Sequence, residues 1–217
     1  MRDNNILPLP SKTTITKYLK SSNTGCGFDE NFFSLFKEQI LTYPELARNG
    51  TLSFDEMQVR SAVDVNVQSM TFDGLLDFNC KNSTSDTLSD NNLDKKADKA
   101  LVFMYSSLAH KFQQPVGMFA SMGNTTSKEL ALLITTGIMA VEKAGAKVHA
   151  LVCDGASVNR GIWSEFGIKG RVDEPVCSSF TNPFDESRQI YIISDVPHLL
   201  KCIRNNLYNR KEFMVKM

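Results

Sequence analysis

Residues 51–60, TLSFDEMQVR, alternate like a buried strand, with Leu52, Phe54, Met57 and Val59 around a central pair of acids, Asp55 and Glu56. MTFDGLLDF (70–78) reads as a second short strand or turn-strand with Asp73-Gly74 in its bend. ALVFMYSSLA (100–109) is a strongly apolar strand, and QPVGMFAS (114–121) is another, entered at Pro115, a residue tolerated on a sheet edge. KVHALVCDG (147–155) and QIYIISD (189–195) read as buried strands, each ending in an aspartate. Helical spacing governs the stretches between and after them. TSKELALLITTGIMAVEKAGA opens with a Thr/Ser cap, carries Leu130, Leu133, Ile134, Ile138 and Val141 on one face and ends at Gly145. ASVNRGIWSEFG follows Asp154, with Ser157 near its start, and VPHLLKCIRNNLY follows Asp195, with Pro197 in its first turn. Strands alternating with helices make this an α/β chain.

The first fifty residues carry a different pattern. Ser11 can cap a short helix in KTTITKYLK, and Asp29 can cap ENFFSLFKEQIL, whose Phe32, Phe33, Leu35, Phe36, Gln39 and Ile40 form a broad apolar stripe. Such helices fit a separate module, residues 1–50, that docks or self-associates, or simple packing on the domain that follows, residues 51–217. Residues 79–98 are rich in Asn, Ser and Asp and read as a surface loop.

Composition narrows the partners. The chain of 217 residues has 24 basic and 24 acidic side chains, so no global positive field marks it for nucleic acid. The charges are unevenly spread, however. Residues 188–217 hold Arg188, Lys201, Arg204, Arg210, Lys211 and Lys216 against Asp195 and Glu212, while residues 51–100 hold nine acids against five bases. A basic end beside an acidic site suits a phosphate polymer bridged by metal, and equally an ordinary solvated surface. Five cysteines without a C-x-x-C pair argue against a disulfide framework or structural zinc and fit an intracellular compartment. No apolar run approaches the roughly 20 residues needed to cross a bilayer, and MRDNNILPLP does not read as a secretory signal.

Candidate chemistry centres on three acids: Asp55 within the first strand, and Asp154 and Asp195 at strand ends, where α/β sheets gather ligand groups. Carboxylates converging there repel one another, and a divalent cation relieves that cost. Hard oxygen ligands in twos and threes suit Mg2+ or Mn2+, and two such ions about 3.5–4 Å apart support in-line phosphoryl transfer. An aspartate at a strand end also serves simply to cap the next helix, which leaves Asp55 the sharper signal. By alternation Glu56 points away from Asp55 and is expected to be exposed or ion-paired. Asn159 is placed to hydrogen-bond Asp154 or to stand exposed, His198 to orient an acid, touch phosphate or cap, and Trp163 to fill the core. Lys201 and Arg204 share a helix face and are candidate phosphate contacts.

The blocks LSFDEMQVR, ALVFMYSSLAHKFQQPVGMFAS, LVCDGASVNRGIWSEFGI and ISDVPHLLKCIRNNL resemble, in order, those of the P element transposase family and its THAP-domain-bearing relatives. NNILPLPSKTTITKYLKSSNTGCGF resembles the helix-turn-helix segment that precedes the catalytic domain there. The resemblance implies a ribonuclease H-like mixed sheet flanked by helices, incomplete at its C-terminus. It implies DNA strand cleavage and strand transfer by a DDE-type acid set holding Mg2+ (or Mn2+), with Asp55 as first acid and Asp154 as second. It places Asp195 and His198 near the site, and the third acid, a Glu, on a late helix beyond an insertion domain. That insertion binds GTP and is expected to lie outside these residues, as is the zinc-binding THAP domain. DNA ends and target as partners, homo-oligomerisation of the longer parent, no membrane association and a nuclear location follow from the same resemblance. Two alternatives stand beside an active transposase: a truncated or domesticated, catalytically inactive derivative that binds DNA or oligomerises, and a metal-dependent nuclease unrelated to transposition.

Overall fold

The computed structural model describes residues 11, 13–14, 26–66, 71–75, 95–123, 125–155, 157–170 and 175–209. Its strands are β1 (Asn49–Gln58), β2 (Asp64–Asn66), β3 (Thr71–Asp73), β4 (Lys99–Ser107), β5 (Gln113–Ser121), β6 (Lys147–Cys153), β7 (Ser179–Thr181) and β8 (Gln189–Ser194). Its helices are α1 (Glu30–Leu41), α2 (Ser127–Lys143), α3 (Ser157–Glu165) and α4 (Val196–Asn209), with a 3-10 turn at Glu45–Arg48. Six strands form one mixed sheet in the order β5-β4-β1-β6-β8-β7, and β2 pairs with β3 in a separate two-stranded ribbon. The β1–β4 and β4–β5 pairs are antiparallel, β1–β6 and β6–β8 are parallel, and β7 closes antiparallel on β8. Pro115 is tolerated because β5 is an edge strand, and the ladder shifts register beside it, between Phe103 and Met104.

Alternation assigns the two faces of the sheet. Leu52 and Phe54 of β1, Leu101, Phe103 and Tyr105 of β4, Phe119 of β5, Leu151 and Cys153 of β6 and Ile190 of β8 are all buried. They meet the apolar stripe of α2, in which Leu130, Ile134, Ile138 and Val141 are buried, and Ile162 of α3. Burial of each such side chain stabilises by about 1.5–3 kcal/mol. The α2 start is set locally by a capping box in which Thr126 and Glu129 satisfy each other's backbone N–H. At its end Gly145 takes φ 100°, a conformation that favours glycine.

The N-terminal helices divide. Ser11 accepts the Thr14 N–H at 3.0 Å, the cap expected of it, but most of the helix expected over 12–20 lies outside the described residues. Asp29 caps α1 by accepting the Asn31 N–H at 2.8 Å. The second of the two expectations for α1 holds: it packs on the sheet domain. Phe36 and Ile40 are buried in the common core, with Phe36 5.8 Å ring to ring from Tyr105, and Phe32 and Phe33 lie half-buried against it. Phe28 lies 5.0 Å from the Phe119 ring and 5.5 Å from that of Phe103, and an added Cβ at Gly117 or Gly137 would come within 2.5 or 2.9 Å of its ring. A described module of residues 26–48 therefore shares its core with β1 and β4 and has none of its own. The apolar stripe is narrower than expected, since Leu35 and Gln39 are exposed.

Three local expectations change. β2 and β7 are strands of only three residues each, too short for a period of two to stand out. β8 is buried on one face only, with Ile190 fully buried while Tyr191 and Ile193 are about half exposed. Of the loop expected over 79–98 only residues 95–98 are described, and there Lys96 bridges Leu75 and the Ala97 N–H donates to the Gly74 carbonyl at 2.9 Å.

One buried charge ties the layers together. Glu142, 6% exposed near the end of α2, accepts the Val148 N–H at 2.8 Å and the Asn182 side-chain amide at 2.9 Å, and pairs with Arg188. Arg188 also donates to Asp185 at 2.7 Å. Helix α2, the start of β6 and the β7–β8 connection are thus joined through a single carboxylate.

Candidate functional site

The β1–β6 ladder is parallel, and its last pair is Ser53 with Val152. Continued two residues along each chain, that register reaches Asp55, still within β1, and Asp154, one residue past the end of β6. Parallel partners point to the same face, so both carboxylates lie on the face of Ser53 and Val152, opposite the Leu52, Phe54 and Cys153 side that the helices cover. Asp55 is exposed and Asp154 half-buried.

Asp195 joins the same row. β8 runs parallel to β6 with Cys153 opposite Ser194 as the last pair, and the Asp195 N–H, donating to the Cys153 carbonyl at 2.8 Å, closes that pair and holds Asp195 just past the end of β8. Of three neighbouring parallel strands, β6 and β8 are each followed directly by an aspartate, and β1 carries Asp55 three residues before its end. His198, one turn into α4, holds its Nδ1 3.6 Å from Asp195 Oδ2, an ion pair when the imidazole is protonated. Asn159, in the first turn of α3, donates its side-chain amide to Asp154 Oδ1 at 2.5 Å and lies 3.4 Å from the Asp154 carbonyl.

The neighbouring acid has another task. Glu56 pairs with Lys99 at 3.1 Å and accepts from Thr125 Oγ1 at 3.2 Å, on the helix-covered side of the sheet. It is the ion-paired residue that strand alternation predicts, and it ties β1 to β4 and to the entry of α2. Burial pushes the Cys153 thiol up to about 11, against the opposing pull of the Trp163 indole and with the Asp154 charge adding to the rise. Cys153 and Trp163 therefore belong to the packing beneath the acids. Lys201 and Arg204 are exposed on α4, and the Arg204 guanidinium donates to Asn205 Oδ1 at 3.0 Å. No described residue of α4 is buried, although Val196, Leu199, Leu200, Ile203 and Leu207 line one side of it.

Among the described residues no group of three or more His, Cys, Asp or Glu side chains is arranged to hold a metal ion. Mg2+ commonly binds through one or two carboxylates and completes its shell with water and substrate phosphate oxygens. The adjacent pair Asp55 and Asp154 fits that smaller requirement, with hard oxygen donors on one face of rigid backbone. Glu142 and Arg188 escaped the sequence reading, although an acid beside Ile138 and Val141 on an apolar stripe was a usable signal. Nothing local marked Gly161, whose role depends on a neighbouring helix.

The described residues form a mixed sheet of six strands flanked by four helices, with Asp55 within one central parallel strand and Asp154 and Asp195 just past the ends of the next two, which is a ribonuclease H-like fold. It superposes on the Drosophila P element transposase of a strand transfer complex with a TM-score of 0.64 at 21% identity, over 92% of this chain and 38% of that one. The chain belongs to the family described as TNP-like, RNase H N-terminal domain, whose model matches residues 24–167. It is 24% identical over 205 residues to the human DNA transposase THAP9, covering 94% of this chain and 22% of that protein. It is 23% identical over 199 residues to the Drosophila melanogaster transposable element P transposase, covering 92% and 22%. The chain thus spans about a fifth of the length of these curated relatives.

Proposed function

We propose that these residues are the first part of the catalytic domain of a P element-like DNA transposase, and that Asp55 and Asp154 are its first two acids. The observation that carries this reading is the parallel β1–β6 register, which brings two carboxylates 99 residues apart in the chain to one edge and one face of the sheet. A bound Mg2+ or Mn2+ supplies charge neutralisation at phosphate and a more acidic water or hydroxyl.

The chain's own residues do the rest. Asp55 sits within β1, opposite Val102 of β4 in an unbroken antiparallel ladder, so its backbone is held when a charged ligand arrives. Asp154 is held from α3 by Asn159. Lys201 and Arg204 take backbone phosphates of DNA without reading its sequence. In the reaction of the longer protein, a water oxygen forms a bond to phosphorus while the bond to the 3′ oxygen breaks and that oxygen takes up a proton. The 3′ hydroxyl so freed then bonds through its oxygen to the phosphorus of a target phosphodiester and gives up its proton, while the target's own P–O3′ bond breaks and the departing 3′ oxygen takes up a proton.

A second reading is an inactive derivative that binds DNA or oligomerises. The Phe32, Phe33 and Phe36 face is not its association surface, since those rings pack on the core. Titration of the chain with Mn2+, with and without a short DNA duplex, separates the two. The transposase reading expects binding that Asp55→Asn and Asp154→Asn each weaken about 10-fold or more, with unfolding midpoints unchanged. Equal Mn2+ binding by the wild type and the double variant overturns it.

A further inference from the structure

A carboxylate at the end of a strand has a soft terminal torsion, and its two oxygens sweep a wide arc unless something holds one of them. Asp154 stands just beyond the last residue of β6 and five residues before Asn159, whose amide meets Oδ1 at 2.5 Å. This short hydrogen bond to one oxygen constrains the plane of the carboxylate, and with it the direction of both oxygens.

The position of Asn159 is itself set from the opposite side of α3. Gly161, two residues and about 200° further round the helix, faces the first residue of α2. A Cβ added at Gly161 would lie 2.2 Å from Ser127 Oγ and 3.0 Å from Ser127 Cβ. A methyl there requires the Ser127 hydroxyl to rotate away and the Ser127 Cβ or α3 to give by a few tenths of an ångström. Ile162, 2% exposed, anchors the same turn in the core. The approach of α3 to α2 is therefore closest at the bare Gly161 backbone, on the helix that also carries the Asn159 amide to Asp154.

We propose that Asn159 is a positioning residue for Asp154, and that the seat of Gly161 on Ser127 sets its reach. The proposal rests on the reading of Asp55 and Asp154 as cation ligands. It differs from a plain turn-closing role for Asn159, which would change stability and leave cation affinity alone.

Two measurements on the 217-residue chain test it. The first needs no cation: in a 15N–1H spectrum one proton of the Asn159 side-chain amide is expected well downfield. It should move upfield in Asp154→Asn and in Gly161→Ala, and return in the double variant Gly161→Ala/Ser127→Gly, which removes the obstructing Cβ. The second is calorimetric titration with Mn2+ alone, in which Asn159→Ala is expected to weaken binding about 10-fold while leaving the thermal midpoint within about 2 °C. Asn159→Asp, of the same shape but without the donor, is expected not to restore the amide's effect at neutral pH. An Asn159 amide signal indifferent to Asp154→Asn overturns the inference, as does unchanged Mn2+ affinity in Asn159→Ala when the wild type binds. Failure of the wild type to bind Mn2+ at all overturns the cation-ligand reading beneath it, a result distinguishable from either.

Discussion

Glu142 is 6% exposed and holds three donors, one from the start of β6 and two from the β7–β8 connection, so its replacement should be among the most costly single changes in the molecule. Glu142→Gln keeps the shape and leaves an oxygen for the Val148 N–H and the Asn182 amide, but turns a donor toward Arg188. Breaking a buried ion pair from one side costs about 3–5 kcal/mol. Arg188 retains Asp185 at 2.7 Å and is 21% exposed, so the lower end applies, and about 2–3 kcal/mol is expected. Glu142→Ala also strips the Val148 and Asn182 donors of their acceptor, at about 1–3 kcal/mol each. The total of about 4–9 kcal/mol rivals the whole stability of a small domain, about 5–15 kcal/mol. Urea unfolding followed by Trp163 fluorescence and far-UV circular dichroism measures both, with coincident transitions and an unchanged slope as the check on two-state behaviour. The pair Glu142→Leu/Arg188→Met should recover much of the loss, because apolar replacement of both partners removes the desolvation cost together with the attraction. A Glu142→Gln midpoint that corresponds to less than about 0.5 kcal/mol of destabilisation would refute the argument, since surface substitutions do no more than that.

Other outcomes follow from the same packing. Gly137→Ala places a methyl 2.9 Å from the Phe28 ring and should destabilise by about 1–3 kcal/mol, with Phe28→Leu in the same chain recovering part of it; additive losses in urea would count against the contact. Asp185, held down to about 2 from 3.8 first by Ser187 and then by Arg188, contributes stability that is complete above its unfolded value and lost as pH falls from about 4 toward 2. Asp185→Asn should flatten that part of the acid unfolding profile, and an identical profile would remove Asp185 from the account. Helix α4 buries no described side chain, so its amides should exchange with solvent far faster than those of α2, and matched protection of the two helices in hydrogen exchange would contradict the exposure of its apolar side.

Much of the fold was legible because its signals are local. β1, β4, β5 and β6 announce themselves by alternation, and α2 by its cap, its stripe and its terminal glycine, all within a few residues. The three acids were visible as well, since a carboxylate inside an apolar strand or at a strand end contradicts its surroundings. What remained hidden was short or distant. β2 and β7 have three residues each and no period to detect, and the one-sided burial of β8 depends on which helices cover the sheet.

Sequence alone therefore determined which segments become strands and helices, and which residues have the chemistry to hold a cation, because propensity, capping and charge act over one or two turns of chain. Tertiary structure decided their company. The parallel register that sets Asp55 beside Asp154, the reach of Asn159 from α3, the contact of Gly161 with Ser127 and the enclosure of Glu142 by Val148, Asn182 and Arg188 all join residues through backbone pairing and helix packing. Those interactions depend on distance in space, and no pattern read along the chain records it.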